Sequence, residues 1–404
     1  MLDLSKGRGD TLKFFHTADW HLGKLVQGMS MTEDQSFILD QFIQVVKEEK
    51  PDAIVIAGDL YDRAVPPPEA VQLLNRVIEI LILDLKTPVL AIAGNHDSPS
   101  RLHFTSNILQ NNGLYLIGQL TDHLSPVKLT DEYGEVHFHL VPYCDPSVVR
   151  NMFQDETIRT HQDAMRKLTN SIKANMNPSA RHVFVGHAFV TPYGEENENT
   201  SESERTLSIG GAEYVSAECF TEFHYTALGH LHRAHYVLKE PIRYAGSPLK
   251  YSISEETHHK GFYIVHLDAD GFVDIEKKEL IPKRDLRTVK GTMEEILQFP
   301  VSDDYIFVQL LDKTPVLSPM EKIRSVFPNA MHVERKNISF PSTFVGTSSS
   351  LKRKDKSDLE LFQAFYKEVK GVKPTEDMNE ILKDVLDEML QDIDTDIKEL
   401  ESIN

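Results

Sequence analysis

Residues 13–23 read KFFHTADWHLG. The run 13–18 is apolar enough to be a buried strand, and it delivers Asp19 and His21 at its carboxyl end. Two positions apart, they would face the same way on an extended strand end. The pattern recurs twice downstream. AIVIA (53–57) is a second apolar strand that runs into Gly58 and Asp59, then Asp62, in GDLYD. PVLAIA (88–93) is a third, and it runs into Gly94-Asn95-His96-Asp97. Between the strands, 32–49 keeps helical spacing through Phe37, Ile38, Phe42, Val45 and Val46, and 68–86 reads as a helix ended by Thr87-Pro88. Strands alternating with helices predict βαβ units and a largely parallel sheet.

Further along, strand-like runs dominate at 136–141, 182–186, 225–229, 234–238, 242–246 and 261–267. The expected fold class is α/β: a mixed β-sandwich flanked by helices over residues 1–280. KKELIPKRDLR (277–287), with a proline and many charges, marks a boundary. A small α/β domain is expected at 281–340, with strands at 305–311 and 330–335. A polar linker follows at 341–357, then a helical hairpin at 358–404 split by Gly371 and Pro374.

The chain has 404 residues, which suggests two or three domains. Its 40% hydrophobic and 26% charged composition is that of a soluble globular protein. No apolar run approaches the ~20 residues of a membrane span, and the first residues lack an apolar signal core, so a cytoplasmic location and no membrane partner are expected. Cys144 and Cys219 are the only cysteines and form no CxxC pair, which argues against disulfides and cysteine-bound zinc. The net charge of −19 disfavours nucleic acid as a partner at first sight. However, 14 acidic against five basic side chains in 357–404 supply −9 of it. An acidic chain binds phosphates through local basic patches or metals.

The chemistry sits where strands end. To the three loops above are added Gly186-His187 after VFV and Gly229-His230-Leu231-His232 after TAL. Loops at the carboxyl ends of strands in an open α/β sheet converge on one crevice. Five strand ends would thus bring Asp, Asn and His side chains together. Carboxylate and amide oxygens with imidazole nitrogens suit manganese, iron or zinc better than calcium. A lone histidine among 18 is usually structural, and a lone GD or GH means almost nothing. The ordered set D-x-H, G-D-x-x-D, G-N-H-D, G-H, G-H-x-H is a strong signal. His16, His103, His137, His139 and His224 read as packing residues. Trp20, the one tryptophan, reads as packing beside the site.

These five motifs resemble the calcineurin-like metallophosphoesterase superfamily. HTADWHLG (16–23), AGDLYDR (57–63), AGNHDSPSR (93–101) and GSPLKYSISE (246–255) are similar, more narrowly, to the SbcD family, the nuclease subunits of bacterial SbcCD complexes. The resemblance implies that Asp19, His21 and His232 hold one metal, that Asn95, His187 and His230 hold the other, and that Asp59 bridges them. It places His96 beside the site as a leaving-group acid or charge stabiliser, with Asp62 and Asp97 orienting ligands or His96. Simple turn-capping is the rival reading for those two. The expected cofactors are two divalent ions, Mn2+ foremost.

The implied activity is two-metal phosphodiester hydrolysis of DNA as an exonuclease and endonuclease in end processing, repair and recombination, leaving a 5′-phosphate and a free 3′-hydroxyl. The implied partners are DNA and an SbcC-like ATPase gripped by the 358–404 hairpin, with a homodimer inside a heterotetramer. The helix at 68–86 is the expected dimer contact, because Ile80, Leu81, Ile82 and Leu83 cannot share one stripe. In 376–401, Met378, Ile381, Leu382, Val385, Leu386 and Met389 open one long apolar stripe suited to a partner groove. Two other readings share the constellation: a phosphoesterase acting on nucleotides or phosphoproteins, and a non-catalytic scaffold. No Walker A pattern occurs, so ATP dependence would come from a partner.

Overall fold

The computed structural model describes residues 11–121, 124–194, 213–271, 273–312, 314–335, 359–360, 362–363, 366 and 372–385. The linker expected at 341–357, most of the first tail helix and residues 386–404 lie outside this set. Two compact units divide the described residues. The first falls within 1–289, 295–308 and 318–333, and the second within 290–294, 309–317 and 334–404.

In the first unit two six-stranded sheets form a sandwich. One runs in the order 273–279, 261–267, 12–17, 53–56, 89–92, 114–117. Its last four strands are parallel, as the alternating strands and helices predict, and Leu12–Thr17 pairs antiparallel with Gly261–Leu267. The second runs 235–237, 239–244, 225–229, 181–187, 134–141, 127–131, with parallel pairing among its four central strands.

The first strand shows why the sequence run is apolar throughout. Phe14 points between the sheets, where its ring meets Phe138 at 5.3 Å and Tyr225 at 5.4 Å. Phe15, one residue on, points the other way and meets Phe42 of the helix Thr32–Glu49 at 6.0 Å and Phe262 at 4.9 Å. A strand covered on both faces has no solvent side to carry polar residues. The outer face of the second sheet is covered in turn by the helix His161–Lys173, through Leu168 and Ile172 with Phe184 and Phe220. A buried ion pair ties the sheets together at one end. Asp131 accepts Leu12 N at 3.0 Å and both terminal nitrogens of Arg181, and Arg181 also donates to Leu267 O.

The helix expected at 68–86 is regular only over Pro68–Glu79. At Ile80–Asp84 the turn widens, and Leu85 N bonds Ile80 O, five residues back. The extra residue in the turn swings Leu81 and Ile82 both into the core and leaves Leu83 exposed.

Leu286–Gly291, Tyr305–Leu310 and Ala330–Arg335 form a three-stranded sheet. In the second unit, residues 376–385 are helical, and Met378, Ile381 and Val385 are exposed. Among the described residues no helix is long and apolar enough to cross a membrane.

Candidate metal centre

The loops after the first two strands continue to pair beyond the strands themselves. Asp19 N donates to Gly58 O at 3.0 Å, His21 N to Asp59 O at 2.9 Å and Leu22 N to Leu60 O at 2.9 Å. Asp19 (φ 54°), His21 (φ 45°), Asp59 (φ 51°) and His230 (φ 111°) all occupy the left-handed backbone region. An extended strand end is therefore not what aims Asp19 and His21; each sits in a left-handed turn. Such backbone costs about 1–3 kcal/mol per residue and persists where surrounding structure enforces it, most often at functional sites. Gly58 (φ +93°) shows one constraint that enforces it. A Cβ there would lie 2.3 Å from His187 Nδ1, so only glycine lets that ring in.

The side chains converge as follows. His21 Nε2 and His232 Nε2 face each other at 3.1 Å. Asp59 Oδ2 lies between His21 Nε2 (3.6 Å) and His187 Nε2 (3.4 Å), while its Oδ1 accepts His96 N at 2.9 Å. His187 Nε2 meets Asn95 Oδ1 at 2.9 Å, and its Nδ1 donates to Ala57 O at 2.9 Å. Asp19 accepts His230 N at 2.9 Å. The His230 ring packs 5.4 Å from His187 and 5.8 Å from Phe189, so His230 and His232 point to different sides of the site. All seven expected ligands are thus brought to one place. Asp19, His21 and His232 have ligand atoms within 4.8 Å of one another, as do Asp19, Asp59 and His187, and also His21, Asp59 and His96.

The residues fit divalent ions on three counts. Two imidazole nitrogens bound at right angles to one ion at about 2.1 Å each stand about 3 Å apart, the spacing of His21 and His232. The Asp62 carboxylate stands 3.8 Å from His21 Nδ1, the nitrogen that carries the proton when Nε2 faces a cation. The charges also ask for a cation. Burial works against the His187 imidazolium, yet Asp59 and Asp19 outweigh it and hold its pKa up at about 9. Asp59 stays well below the usual carboxylate range although burial opposes its charge, because His187 and His21 face it. Burial pushes Asp19 up to about 7 and keeps His21 and His230 neutral.

Around the ligands, His96 lies 4.6 Å ring to ring from His21, and its Nδ1 donates to the main-chain Asp62 O at 2.7 Å. The Asp62 carboxylate pairs with Lys24 at 2.8 Å and lies 3.8 Å from His21 Nδ1. Asp97 accepts Leu60 N, Tyr61 N and Gly94 N at 2.9–3.1 Å, which staples the second loop to the third. Trp20 is buried and donates to Thr17 Oγ1 at 2.9 Å. His16 is buried against Tyr225 OH and Leu228 O.

Beyond Asp62 and Asp97, further residues that the motifs gave no role support the ligands. Glu255, Lys260 and Ser247 back His232, and Gln35 and Tyr251 hold the main chain of Trp20, with Gln35 also holding that of His21. The stretch GSPLKYSISE (246–255) was the available signal, since it carries Ser247, Tyr251 and Glu255.

The Calcineurin-like phosphoesterase family profile matches residues 12–234. The profile described as Type 5 capsule protein repressor C-terminal domain matches 282–370. The SbcD subunit of the SbcCD nuclease from Staphylococcus epidermidis is 35% identical over 360 residues, 88% of this chain and 93% of that protein. Among solved structures, a dimetal phosphatase from Danio rerio aligns with a TM-score of 0.41 and 9% identity over 68% of this chain and 98% of that one. A protein from Thermus thermophilus aligns with a TM-score of 0.34 and 12% identity, over 66% of this chain and 99% of that one. With the sandwich, the converged ligands and a relative matched over nearly its whole length, the chain belongs to the calcineurin-like phosphoesterases and, within them, to the SbcD family of nuclease subunits.

Proposed function

We propose that the chain hydrolyses DNA phosphodiesters with two divalent ions, Mn2+ foremost, held by Asp19, His21 and His232 on one side and Asn95, His187 and His230 on the other, with Asp59 between. The observation that carries this is the placing of Asp59 Oδ2 between the two imidazoles of His21 and His187. When bound, the ions would neutralise phosphate charge and acidify an attacking water. The protein's own residues do the rest. His187 and His232 are each held from behind at Nδ1, so both present Nε2 inward. His96, fixed through Nδ1 to Asp62 O, keeps Nε2 for the leaving oxygen, to which the imidazolium form, protonated on both ring nitrogens, donates a proton or a hydrogen bond. Asp97 holds the loops that carry Asp59 and Asn95 in mutual register.

DNA is preferred over nucleotides or phosphoproteins because the relative matched across nearly its full length is named as a nuclease. The module at 281–340 is assigned the DNA-facing role, and the match of the second family profile from residue 282 supports that boundary. Exposed Val71 and Leu83, on and just beyond the helix Pro68–Glu79, support a second copy as the cover for that face. The tail is assigned to an SbcC-type ATPase. The test compares Mn2+-dependent cleavage of single-stranded DNA, a hairpin-ended duplex, a phosphopeptide and a nucleotide by the purified full chain. Cleavage of the DNA substrates is expected. Preferential turnover of the phosphopeptide or nucleotide would overturn the nuclease assignment.

A further inference from the structure

Three ligand histidines differ in what stands behind them. His187 Nδ1 is met by a neutral main-chain carbonyl, and His21 Nδ1 has no hydrogen-bond partner. His232 Nδ1 is met by a carboxylate, Glu255 Oε1, at 3.2 Å. Glu255 is fully buried. An ionised carboxylate only accepts hydrogen bonds, so the proton of the His232 ring is held at Nδ1 and the Nε2 lone pair is turned toward His21 Nε2, 3.1 Å away. The other Glu255 oxygen is answered by buried Lys260, which also donates to His232 O at 2.8 Å and Ser247 Oγ at 2.8 Å. Lys260 thereby holds the main chain of the residue whose ring Glu255 holds.

The turn that carries Glu255 is anchored from its far side. Glu256, the next residue, accepts Thr288 N at 2.7 Å and Thr288 Oγ1 at 2.8 Å. Adjacent glutamates thus grip two different segments, which restrains the turn that holds Glu255 beside His232. A buried ion pair adds little net stability over apolar packing of the same volume. Stability therefore does not account for a charged pair at this position, whereas its action on the ring does.

We infer that Glu255 is a positioning residue for the metal site, fixing the tautomer and aim of His232; this rests on the two-metal reading above. Carboxylates behind ligand histidines typically contribute about 10–100-fold in metal affinity.

The experiment is a Mn2+ titration of the metal-stripped full chain, with free Mn2+ followed by electron paramagnetic resonance. The wild type is expected to take up two ions. In Glu255→Gln one of the two should bind about 10–100-fold more weakly and the other as before. Because Glu255→Gln leaves Lys260 in a neutral setting, the double variant Glu255→Gln/Lys260→Met is titrated beside it, with thermal unfolding of both. The single variant keeps Lys260 on His232 O, and the double removes the buried charge, so a weakening common to both belongs to Glu255. Two sites of wild-type affinity in either variant would make the pair purely structural and overturn the inference, as would equal weakening of both sites. A wild type that takes up no Mn2+ would instead sink the two-metal reading itself.

Discussion

His96 and Asp59 are neighbours in space with opposite expected behaviour on substitution. His96 bonds Asp62 O through Nδ1 and donates its main-chain N–H to Asp59 Oδ1, so its side chain is not needed to place Asp59. His96→Gln is therefore expected to leave metal content near normal and to cut turnover by about 10²–10⁴-fold. Parallel loss of metal and activity, measured by elemental analysis beside an oligonucleotide assay, would make His96 a ligand. Asp59→Asn should lower occupancy of both ions, since Oδ2 lies near both His21 and His187. At this scale the inner residues were legible because each follows an apolar run that ends in a short chemical word. Of the layer behind them, Asp62 and Asp97 share those words, and the rest was not legible. Glu255 reaches His232 from a turn 23 residues away, and no periodicity links the two. The left-handed backbone at Asp19, His21 and Asp59 was also invisible, because such conformations are enforced by tertiary contacts against local preference.

Among elements, the sheet edges and their helices show what pattern alone transmits. The helix Thr32–Glu49 and the strands Tyr225–Gly229 and Gly261–Leu267 coincide with the runs read from spacing. The helix His161–Lys173 was passed over, although Thr160 and Asp163 form a reciprocal cap there, a signature visible as T-x-x-D before an apolar stripe. The widened turn at Ile80–Asp84 had no signal beyond four consecutive apolar residues. Two elements yield predictions. Asp131→Ala leaves Arg181 as a buried unpaired cation and is expected to cost about 3–5 kcal/mol in urea unfolding, far more than an exposed pair such as Lys128–Glu135. His139, on the strand Gly134–Val141, is buried beside His182, and burial lowers its pKa to about 3. The unfolded chain takes up this proton first, near pH 6.5, so stability present above that pH is lost as pH falls from about 6.5 toward 3. By pH 5 that loss is about 2 kcal/mol. His139→Phe should narrow the difference in unfolding free energy between pH 7 and pH 5 by this amount. An unchanged difference would remove His139 from the acid-sensitive set.

On the scale of the whole molecule, the question is whether the tail belongs to catalysis or to assembly. The proposed ligands run from Asp19 to His232, and among the described residues those that back them run on to Lys260. What the tail offers is surface. Met378, Ile381 and Val385, three and four apart on the helical stretch 376–385, lie on one stripe and are 42%, 64% and 44% exposed. In the sequence, apolar residues recur at the same spacing at Met389, Ile393 and Ile397. Its neighbours are rich in Asp and Glu, which an anionic lipid surface would repel, while a groove on a helical partner would accept the stripe and leave the acidic face in water. Removing 357–404 is accordingly expected to leave Mn2+-dependent cleavage of single-stranded DNA within about twofold of wild type, since all seven proposed ligands are kept. The same truncation should abolish co-purification with the SbcC-type ATPase, together with any ATP-stimulated cleavage of duplex ends. A milder variant, Ile381→Glu with Val385→Glu, places two charges in the stripe and should weaken association without shortening the chain. Unchanged ATPase affinity in the truncated protein would refute assembly through the tail, and loss of single-strand cleavage would show that the tail serves the active site after all.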